Sequence, residues 1–265
     1  IPTVTRLNDP KKTALSFAFK QPKTGLKETI AKALKWYIGS VKGIDFGRCC
    51  LMVVKYEGDR AAFRNMRRGV SAIYRKHRGV CLGPEPGRSF AEAKFDFPHL
   101  RDYVMDRNIM ADVSETATTW TNLLPLYEDS LAAIDRAICN TGVASWVGCH
   151  ISHSYPTGAS LYFTFGCLQR AGREIEQYLH IKKAAEDAFM KNGGTLSHHH
   201  AVGTEHLPWV EEDVSPTGLK AVQAVKEGLD PRGIMNPGKI IPPADPLKAW
   251  GLSGEALGRF AGSGQ

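Results

Sequence analysis

The sequence predicts an α+β fold in which helices cover an antiparallel sheet. Residues 144–153 and 159–166 read as two strands, and the link 154–158 between them carries the turn signals of a hairpin. Residues 120–139 repeat apolar side chains at helical spacing. The chain contains no GxGxxG, P-loop or GxSxG motif. An open nucleotide-binding sheet is therefore not indicated for this chain.

The first hundred residues are predicted to alternate between strands and helices. Predicted strands cover residues 13–19, 49–56 and 79–82, and predicted helices cover 27–38, 60–77 and 89–106. The run 49–56 is almost continuously apolar, which favours a buried strand. Residues 83–88 are rich in proline and glycine and predict a turn-rich break.

The remaining elements follow from similar patterns. Residues 109–116 are predicted to form a strand, and residues 173–191 and 216–227 are predicted to form helices. Beyond Pro243 the sequence is rich in glycine, serine and alanine, which predicts a flexible tail.

Composition narrows the function classes. The chain has 265 residues, 43% of them hydrophobic, and a net charge of +7. Its basic residues are scattered and form no nucleic-acid-binding motif, so we expect no nucleic-acid partner. No apolar run reaches the ~18 residues of a membrane-spanning helix. The six cysteines include no CxxC pair, which favours reduced thiols in the cytoplasm.

The strongest site candidate is a run of three histidines, His198-His199-His200, flanked by Gly193-Gly194 and Gly203. Neutral imidazole transfers protons near pH 7, so a cluster of three predicts a site, although a solvated loop is the alternative. On an extended backbone His198 and His200 would face one side and His199 the other. Zinc is a second interpretation, to which three further histidines could add ligands, but we assign no metal ligand. Those three are His150, His153 and His206.

The segment from Asp230 to Lys239, DPRGIMNPGK, resembles the C-terminal signature of the vanillyl-alcohol-oxidase type of FAD-linked oxidases. Within that family the chain is most similar to the alkyldihydroxyacetonephosphate synthases, whose histidine segment resembles residues 193–203. Further similar stretches are Arg6–Asp9, Leu100–Asp102 with Glu115, Thr116 and Trp120, and Tyr155–Phe163. The resemblance covers residues 3 to 242.

The resemblance implies a division of the chain. Residues 1–192 would form a ferredoxin-like cap domain that binds substrate. Residues 193–243 would contain the histidine loop and a helical segment that contacts a flavin domain, and 244–265 would be the tail. The FAD-binding domain has no counterpart here, so FAD would require that domain, and we expect the chain alone to be inactive.

The resemblance also implies residue roles. Tyr162, His198, His199 and His200 would be catalytic. Arg101, Arg6 and His150 would bind substrate, and His198 and Asn236 would contact the cofactor. The substrates would be acyl-dihydroxyacetone phosphate and a fatty alcohol, which replaces the acyl chain to form an ether lipid precursor.

Two other functions stay open. Histidines at His150 and His153 resemble those of related 2-hydroxy-acid dehydrogenases, so an FAD-dependent enzyme acting on a 2-hydroxy acid is one alternative. A non-catalytic ligand-binding module is the other. We expect a cytoplasmic protein, or a peroxisomal one if the source is eukaryotic. The FAD-binding domain, a membrane surface and a second copy of the chain are the expected partners.

Overall fold

The computed structural model describes residues 2–18, 25–93 and 97–243. The strands are β1 (Val4–Asn8), β2 (Leu51–Lys55), β3 (Ile109–Thr119), β4 (Ser145–Ser154) and β5 (Gly158–Leu168). The helices are α1 (Pro10–Ala18), α2 (Leu26–Trp36), α3 (Arg60–Lys76), α4 (Glu85–Ala93), α5 (Phe97–Met105), α6 (Leu123–Asn140), α7 (Glu174–Lys191), α8 (Gly203–His206) and α9 (Val210–Leu229). A π-helical turn, Tyr37–Val41, follows α2, and a 3-10 turn, Leu207–Trp209, precedes α9.

The strands form one sheet in the order β2-β1-β4-β5-β3. β3 and β5 pair antiparallel along their whole length, from Ile109 opposite Leu168 to Thr119 opposite Gly158. β1 pairs antiparallel with both β2 and β4. The α+β prediction of an antiparallel sheet with helices is therefore confirmed.

The chain divides into two compact units. Unit 1 comprises residues 1–100 and 148–153, and unit 2 comprises 101–147 and 154–265. The histidine run and Tyr162 lie in unit 2, whereas Arg6 and His150 lie in unit 1. The expected division at residues 192 and 243 stays a prediction.

Buried and half-buried side chains alternate along β5, and the buried ones belong to the core of unit 2. Leu161, Phe163, Phe165 and Cys167 are buried, whereas Tyr162 between them is half-buried. The Phe163 ring packs 5.3 Å from that of Phe189 on α7. Leu126, Ile134 and Ile138 of α6 and Ile181 and Ala185 of α7 complete this core. The predictions of strands 109–116, 144–153 and 159–166 and of helices 120–139 and 173–191 are confirmed within a few residues.

The prediction of a strand at 13–19 was wrong. Residues 13–18 belong to α1, and Phe19 lies outside the described residues. The Asp9 carboxylate accepts a hydrogen bond from the Lys12 backbone N–H at 2.7 Å, and Pro10 occupies the first helical position. An aspartate cap followed by proline starts a helix, and this local signal overrides the alternating pattern.

The region after α3 also differs from the prediction. No strand forms at 79–82. The chain turns here at the end of α3, where Arg78 has φ 58° and the Gly79 N–H donates to the Tyr74 carbonyl at 2.7 Å. The predicted break at 83–88 instead begins α4. Pro86 and Gly87 lie in its first turn, where the missing proline N–H costs little. Of the helix predicted at 89–106, residues 89–93 belong to α4 and residues 97–105 to α5, and residues 94–96 lie outside the described residues.

Two N-terminal elements are more exposed than predicted. β2 lies at one end of the sheet and Met52 is exposed, so the predicted buried strand is an edge strand. The helices predicted at 27–38 and 60–77 are present as α2 and α3. α3 has no buried residue, and its apolar residues Phe63 and Ile73 are exposed in this structure.

The C-terminal helix α9 begins earlier than the predicted residue 216 and is kinked at Ser215, which has φ 70°. The following Pro216 disfavours helical geometry at the residue before it, so the predicted start coincides with the kink. The predicted tail at 244–265 lies outside the described residues. Among those residues, every helix is too short or too polar to cross a bilayer.

Candidate functional site

Residues 192–202 form the histidine loop, which connects α7 to α8 and is fixed to the outer edge of β3. Thr195 N–H donates to the Ala117 carbonyl at 2.9 Å, and Ala117 N–H donates to Thr195 Oγ1 at 3.0 Å. Thr118 Oγ1 donates to the Gly193 carbonyl at 2.8 Å. The loop is therefore held along the edge of the sheet by one hydrogen bond between backbone groups and by further hydrogen bonds between backbone groups and threonine hydroxyls.

Gly194 sits where no side chain fits. A Cβ there would lie 2.6 Å from both Leu126 Cδ1 and Thr116 Oγ1, and 3.1 Å from the Phe189 carbonyl oxygen. Leu196 is buried in a cluster with Leu179, Trp209 and Val210. The close approach and the buried leucine hold the start of the loop against α6 and α7.

Glu115 on β3 organises the histidines. One oxygen, Oε1, accepts hydrogen bonds from the backbone N–H groups of His198 (2.6 Å), His199 (2.7 Å) and His200 (3.2 Å) and from Ser197 Oγ (2.8 Å). The Glu115 side chain is only 1% exposed. Three successive N–H groups converge on one anionic oxygen, so the backbone is curved there and cannot be extended.

The environment keeps Glu115 ionised. Burial alone would raise its pKa, but the hydrogen bonds from His199, His198 and Ser197 and the nearby His199 ring hold the pKa below its ordinary value. The second oxygen, Oε2, lies 3.2 Å from His199 Nδ1 without forming a hydrogen bond. A buried negative charge therefore lies directly beneath the histidine rings.

Tyr162 completes the cluster. It is the register partner of Glu115, so both side chains project from the same face of the sheet. Its ring is stacked on that of His199, with centroids 6.0 Å apart, and makes an edge contact with His200 at 5.5 Å. The prediction that His199 faces away from His200 was wrong, because the curved backbone brings both rings to Tyr162.

His198 has a different partner. The Tyr155 hydroxyl lies 2.8 Å from His198 Nε2, and Trp120 Nε1 donates to the Tyr155 carbonyl at 3.1 Å. The Nδ1 atoms of His198 and His199 are 3.1 Å apart, so at least one of them carries no proton. Sequence reasoning matched Tyr155 and Trp120 to the family but assigned them no role, and it assigned none to Glu115.

The cluster can hold and transfer protons near neutral pH. Partial burial, together with the neighbouring His199 and Lys182, lowers the pKa of His200, although the Glu115 charge opposes this shift. A neutral imidazole beside a phenol can accept the phenolic proton. The structure brings the rings of Tyr162, His199 and His200 together, and the His198 ring lies 5.4 Å from that of His199. The predicted catalytic roles of these residues stay predictions.

Arg101 lies on the exposed side of α5. Its Nε donates to the Ala111 carbonyl at 3.2 Å, and no further partner occurs among the described residues. The guanidinium is thus oriented by one hydrogen bond and keeps donors for an anion. Its predicted contact with substrate stays a prediction.

Arg6 and His150 belong to unit 1. Arg6 Nε donates to Asn8 Oδ1 at 3.2 Å, and its guanidinium lies 5.0 Å from the centre of the Phe90 ring. His150 is buried, with Nδ1 2.9 Å from Lys12 Nζ. Burial and the Arg6 charge lower the pKa of Lys12 to about 7. Both residues have internal partners, and their predicted substrate contacts stay predictions.

Asn236 lies in an exposed turn with φ 43°. Asp230 fixes the start of this turn, because its carboxylate accepts hydrogen bonds from the backbone N–H groups of Ile234 (3.0 Å) and Met235 (2.9 Å). Ile234 and Met235 expose their apolar side chains. The predicted cofactor contact of Asn236 stays a prediction.

Residues 1–240 match the protein family described as FAD linked oxidases, C-terminal domain. The chain is 36% identical to the alkyldihydroxyacetonephosphate synthase of Dictyostelium discoideum over 242 residues, which are 91% of this chain and 40% of that protein. It is 34% identical to the synthase of Trypanosoma brucei brucei over 241 residues, which are 91% of this chain and 39% of that protein.

A solved structure of alkyldihydroxyacetonephosphate synthase superimposes with a TM-score of 0.65 and 31% sequence identity. The superposition covers 89% of this chain and 40% of the other. The chain thus spans about 40% of the length of the relatives that it matches.

Proposed function

Because the chain belongs to the FAD-linked oxidases through their C-terminal domain family, we propose that it supplies the substrate-side part of an enzyme resembling alkyldihydroxyacetonephosphate synthase. In the proposed reaction acyl-dihydroxyacetone phosphate releases its acyl chain as a fatty acid, and a fatty alcohol takes its place through an ether bond. The family is one of FAD-dependent enzymes, so FAD is the implied cofactor.

The observation that carries the proposal is the contact of Tyr162 with two histidine rings above a buried carboxylate. A phenol has an ordinary pKa of about 10 and needs a neighbouring base to give up its proton at neutral pH. His200, whose pKa is lowered, is such a base. We propose that Tyr162 and His200 move the proton at the substrate carbon.

His199 has a different proposed role. It stacks on Tyr162 and its Nδ1 lies 3.2 Å from Glu115 Oε2. His199 thus lies beside a carboxylate, whereas burial disfavours a charge on His200. Two adjacent imidazoles in different environments can take different roles in one reaction.

The exposed imidazole groups of the histidine loop are suitable hydrogen-bond donors to a flavin ring. The rings of His199 and His200 are exposed at the surface of unit 2, and the flavin ring has carbonyl and nitrogen acceptors at its edge. When bound, FAD supplies the redox-active ring at which the substrate reacts. The exposed histidine edges would orient that ring, and Leu229, Ile234 and Met235 offer an exposed apolar surface to a flavin domain.

We further propose that Arg101 binds the phosphate of the substrate. Its guanidinium is exposed and oriented by the single hydrogen bond to the Ala111 carbonyl. Guanidinium groups bind phosphate oxygens through paired hydrogen bonds. A lysine at position 101 keeps the charge but loses this geometry, so Arg101→Lys should raise KM for the phosphate substrate more than it lowers kcat.

The test is an exchange assay with acyl-dihydroxyacetone phosphate and a long-chain alcohol. The chain is expressed together with whatever its gene encodes on either side, and bound flavin is measured by absorbance. We expect flavin binding and ether formation, and a rate lowered roughly 10²- to 10⁴-fold in Tyr162→Phe. Tyr103→Phe is the matched control, because Tyr103 is exposed on α5, and it should retain full activity.

Other outcomes would replace the proposal. Dye reduction by a 2-hydroxy acid, without alkyl exchange, would identify the alternative FAD-dependent dehydrogenase. A protein that binds the substrate but neither holds flavin nor turns over would be a ligand-binding module. An active Tyr162→Phe variant would remove Tyr162 from the chemistry.

A further inference from the structure

A second group of titratable side chains is buried behind the histidine loop, in unit 2. Glu186 lies on α7 before the loop, and Glu205 and His206 lie on α8 after it. Their nearest ligand atoms all lie within 4.8 Å of one another. Glu186 and His206 are buried, whereas the Glu205 side chain is 33% exposed.

Glu186 has no hydrogen-bond partner for either carboxylate oxygen in the part of the chain that the structure describes. The neighbouring Lys182 cannot supply one. Its ammonium donates to the Val113 carbonyl (2.6 Å), to Ser114 Oγ (2.8 Å) and to Glu205 Oε1 (2.5 Å), which uses all three protons. A buried carboxylate without a donor or cation is strongly unfavourable.

His206 is oriented like a metal ligand. Its Nδ1 lies 2.8 Å from the Val202 carbonyl oxygen, which can only accept, so Nδ1 carries the proton. In the neutral ring Nε2 then has a lone pair, which faces Glu186 Oε1 at 3.7 Å and Glu205 Oε1 at 3.6 Å. A second-shell carbonyl that fixes the tautomer in this way is typical of metal-binding histidines.

Two of the three separations between the ligand atoms are close to those around one metal ion, and the third is within 4.8 Å. Zinc bonds to histidine nitrogen and carboxylate oxygen at about 2.0–2.2 Å, so neighbouring ligands of a tetrahedral ion lie about 3.3–3.6 Å apart. The two separations from His206 Nε2 exceed this by at most a few tenths of an ångström. The partly exposed Glu205 leaves a way in from solvent.

We propose that Glu186, Glu205 and His206 bind one divalent cation of the zinc class. The ion would replace the missing donor of Glu186. It would also join the two ends of the histidine loop, because its ligands come from the helices on either side. Burial raises the pKa of Glu186 well above its ordinary value, so a bound proton is the competing solution. This proposal does not depend on the proposed function.

The test is metal content, which needs no activity. The 265-residue chain is freed of metal with a chelator, titrated with Zn²⁺ and analysed by elemental analysis and calorimetry. A triple variant, His198→Gln, His199→Gln and His200→Gln, removes the exposed histidines as competing ligands. We expect one zinc per chain in the wild type and in the triple variant.

Variants of the proposed ligands show where the zinc ion binds. Glu186→Gln should weaken zinc binding at least ~100-fold, since loss of a second-shell partner alone costs 10- to 100-fold. Glu211→Gln, at an exposed position on α9, should leave binding unchanged. If Glu186→Gln does not fold, Glu205→Gln carries the same test at a partly exposed position.

Two results would overturn the proposal. One is a wild-type chain that retains no zinc, which would mean that a proton neutralises Glu186. The other is zinc that is lost from the triple histidine variant but kept by Glu186→Gln, which would place the ion at the loop surface.

Discussion

Replacing Glu115 with glutamine tests whether a buried charge holds the histidine loop. The substitution keeps the size of the side chain and one carbonyl oxygen, but it removes the negative charge from the acceptor of four hydrogen bonds. It also places an amide nitrogen or oxygen without charge 3.2 Å from His199 Nδ1. We expect a folded chain whose loop opens more readily.

The magnitude follows from the hydrogen bonds. A hydrogen bond to a charged group contributes about 1.5–3 kcal/mol and a neutral one about 0.5–1.5 kcal/mol, so each loses roughly 1 kcal/mol. The donors share one oxygen and their contributions are not additive, so we expect a total loss of roughly 2–3 kcal/mol. Since about 1.4 kcal/mol is a factor of ten, the loop should open roughly 30- to 140-fold more often.

Amide hydrogen exchange measures this opening at the three backbone N–H groups of His198, His199 and His200. Their exchange should accelerate by the same factor in Glu115→Gln, and not in Glu128→Gln, whose side chain is exposed on α6. Because the folded-state pKa of Glu115 is lowered, its contribution is complete above the ordinary value of 4.5 and is lost as the pH falls through the folded-state pKa. Exchange within about twofold of the wild type at neutral pH would refute the reasoning.

Two further predictions concern other parts of the chain. Gly194→Ala should destabilise unit 2 by roughly 1–3 kcal/mol, because the added Cβ would lie 2.6 Å from atoms of Leu126 and Thr116. Gly228→Ala is the control: its added Cβ would have no neighbour within 4 Å, so it should stabilise α9 by about 0.5 kcal/mol. Equal effects of the two substitutions in urea unfolding would contradict the close approach at Gly194. Lys12→Met removes a buried amine whose folded-state pKa is lowered from 10.5 to about 7, so wild-type stability rises with pH between these values. The advantage of Lys12→Met over the wild type in urea unfolding should shrink by roughly 2–3 kcal/mol from about pH 6 to about pH 9, and a constant difference would show that Lys12 does not carry this shift.

The sequence predicted the long elements of unit 2 because their patterns and their packing agree. The periodicity of α6 and β5 selects residues that are buried, such as Ile134, Ile138 and Phe163, although Leu124 at the start of α6 is exposed. In unit 1 the local patterns were less decisive. The run that became α1 alternates like a strand, yet one carboxylate at Asp9 and one proline after it start a helix. Capping contacts of this kind depend on three or four residues and are lost in a window average.

Tyr162 and the histidines could be predicted from residue type and motif, but their arrangement could not. The distance along the chain from Glu115 to His198 is 83 residues, and only the pairing of β3 with the loop brings them together. The curvature of the loop follows from that single acceptor. Alternation was the natural expectation for three adjacent histidines, and it failed because backbone N–H groups, not side chains, determine the local geometry.

Glu115 and Glu186 show two opposite environments for a buried carboxylate in the same unit. Glu115 receives four donors on one oxygen, and its pKa is lowered. Glu186 receives none among the described residues, and its pKa is raised. One oxygen of Glu115 therefore has four donors although the other has none, whereas neither oxygen of Glu186 has a donor and Glu186 requires a proton or a metal ion. Since Glu186 and His206 lie on either side of the histidine loop, a metal ion bound to both side chains would join the two ends of that loop, as proposed above.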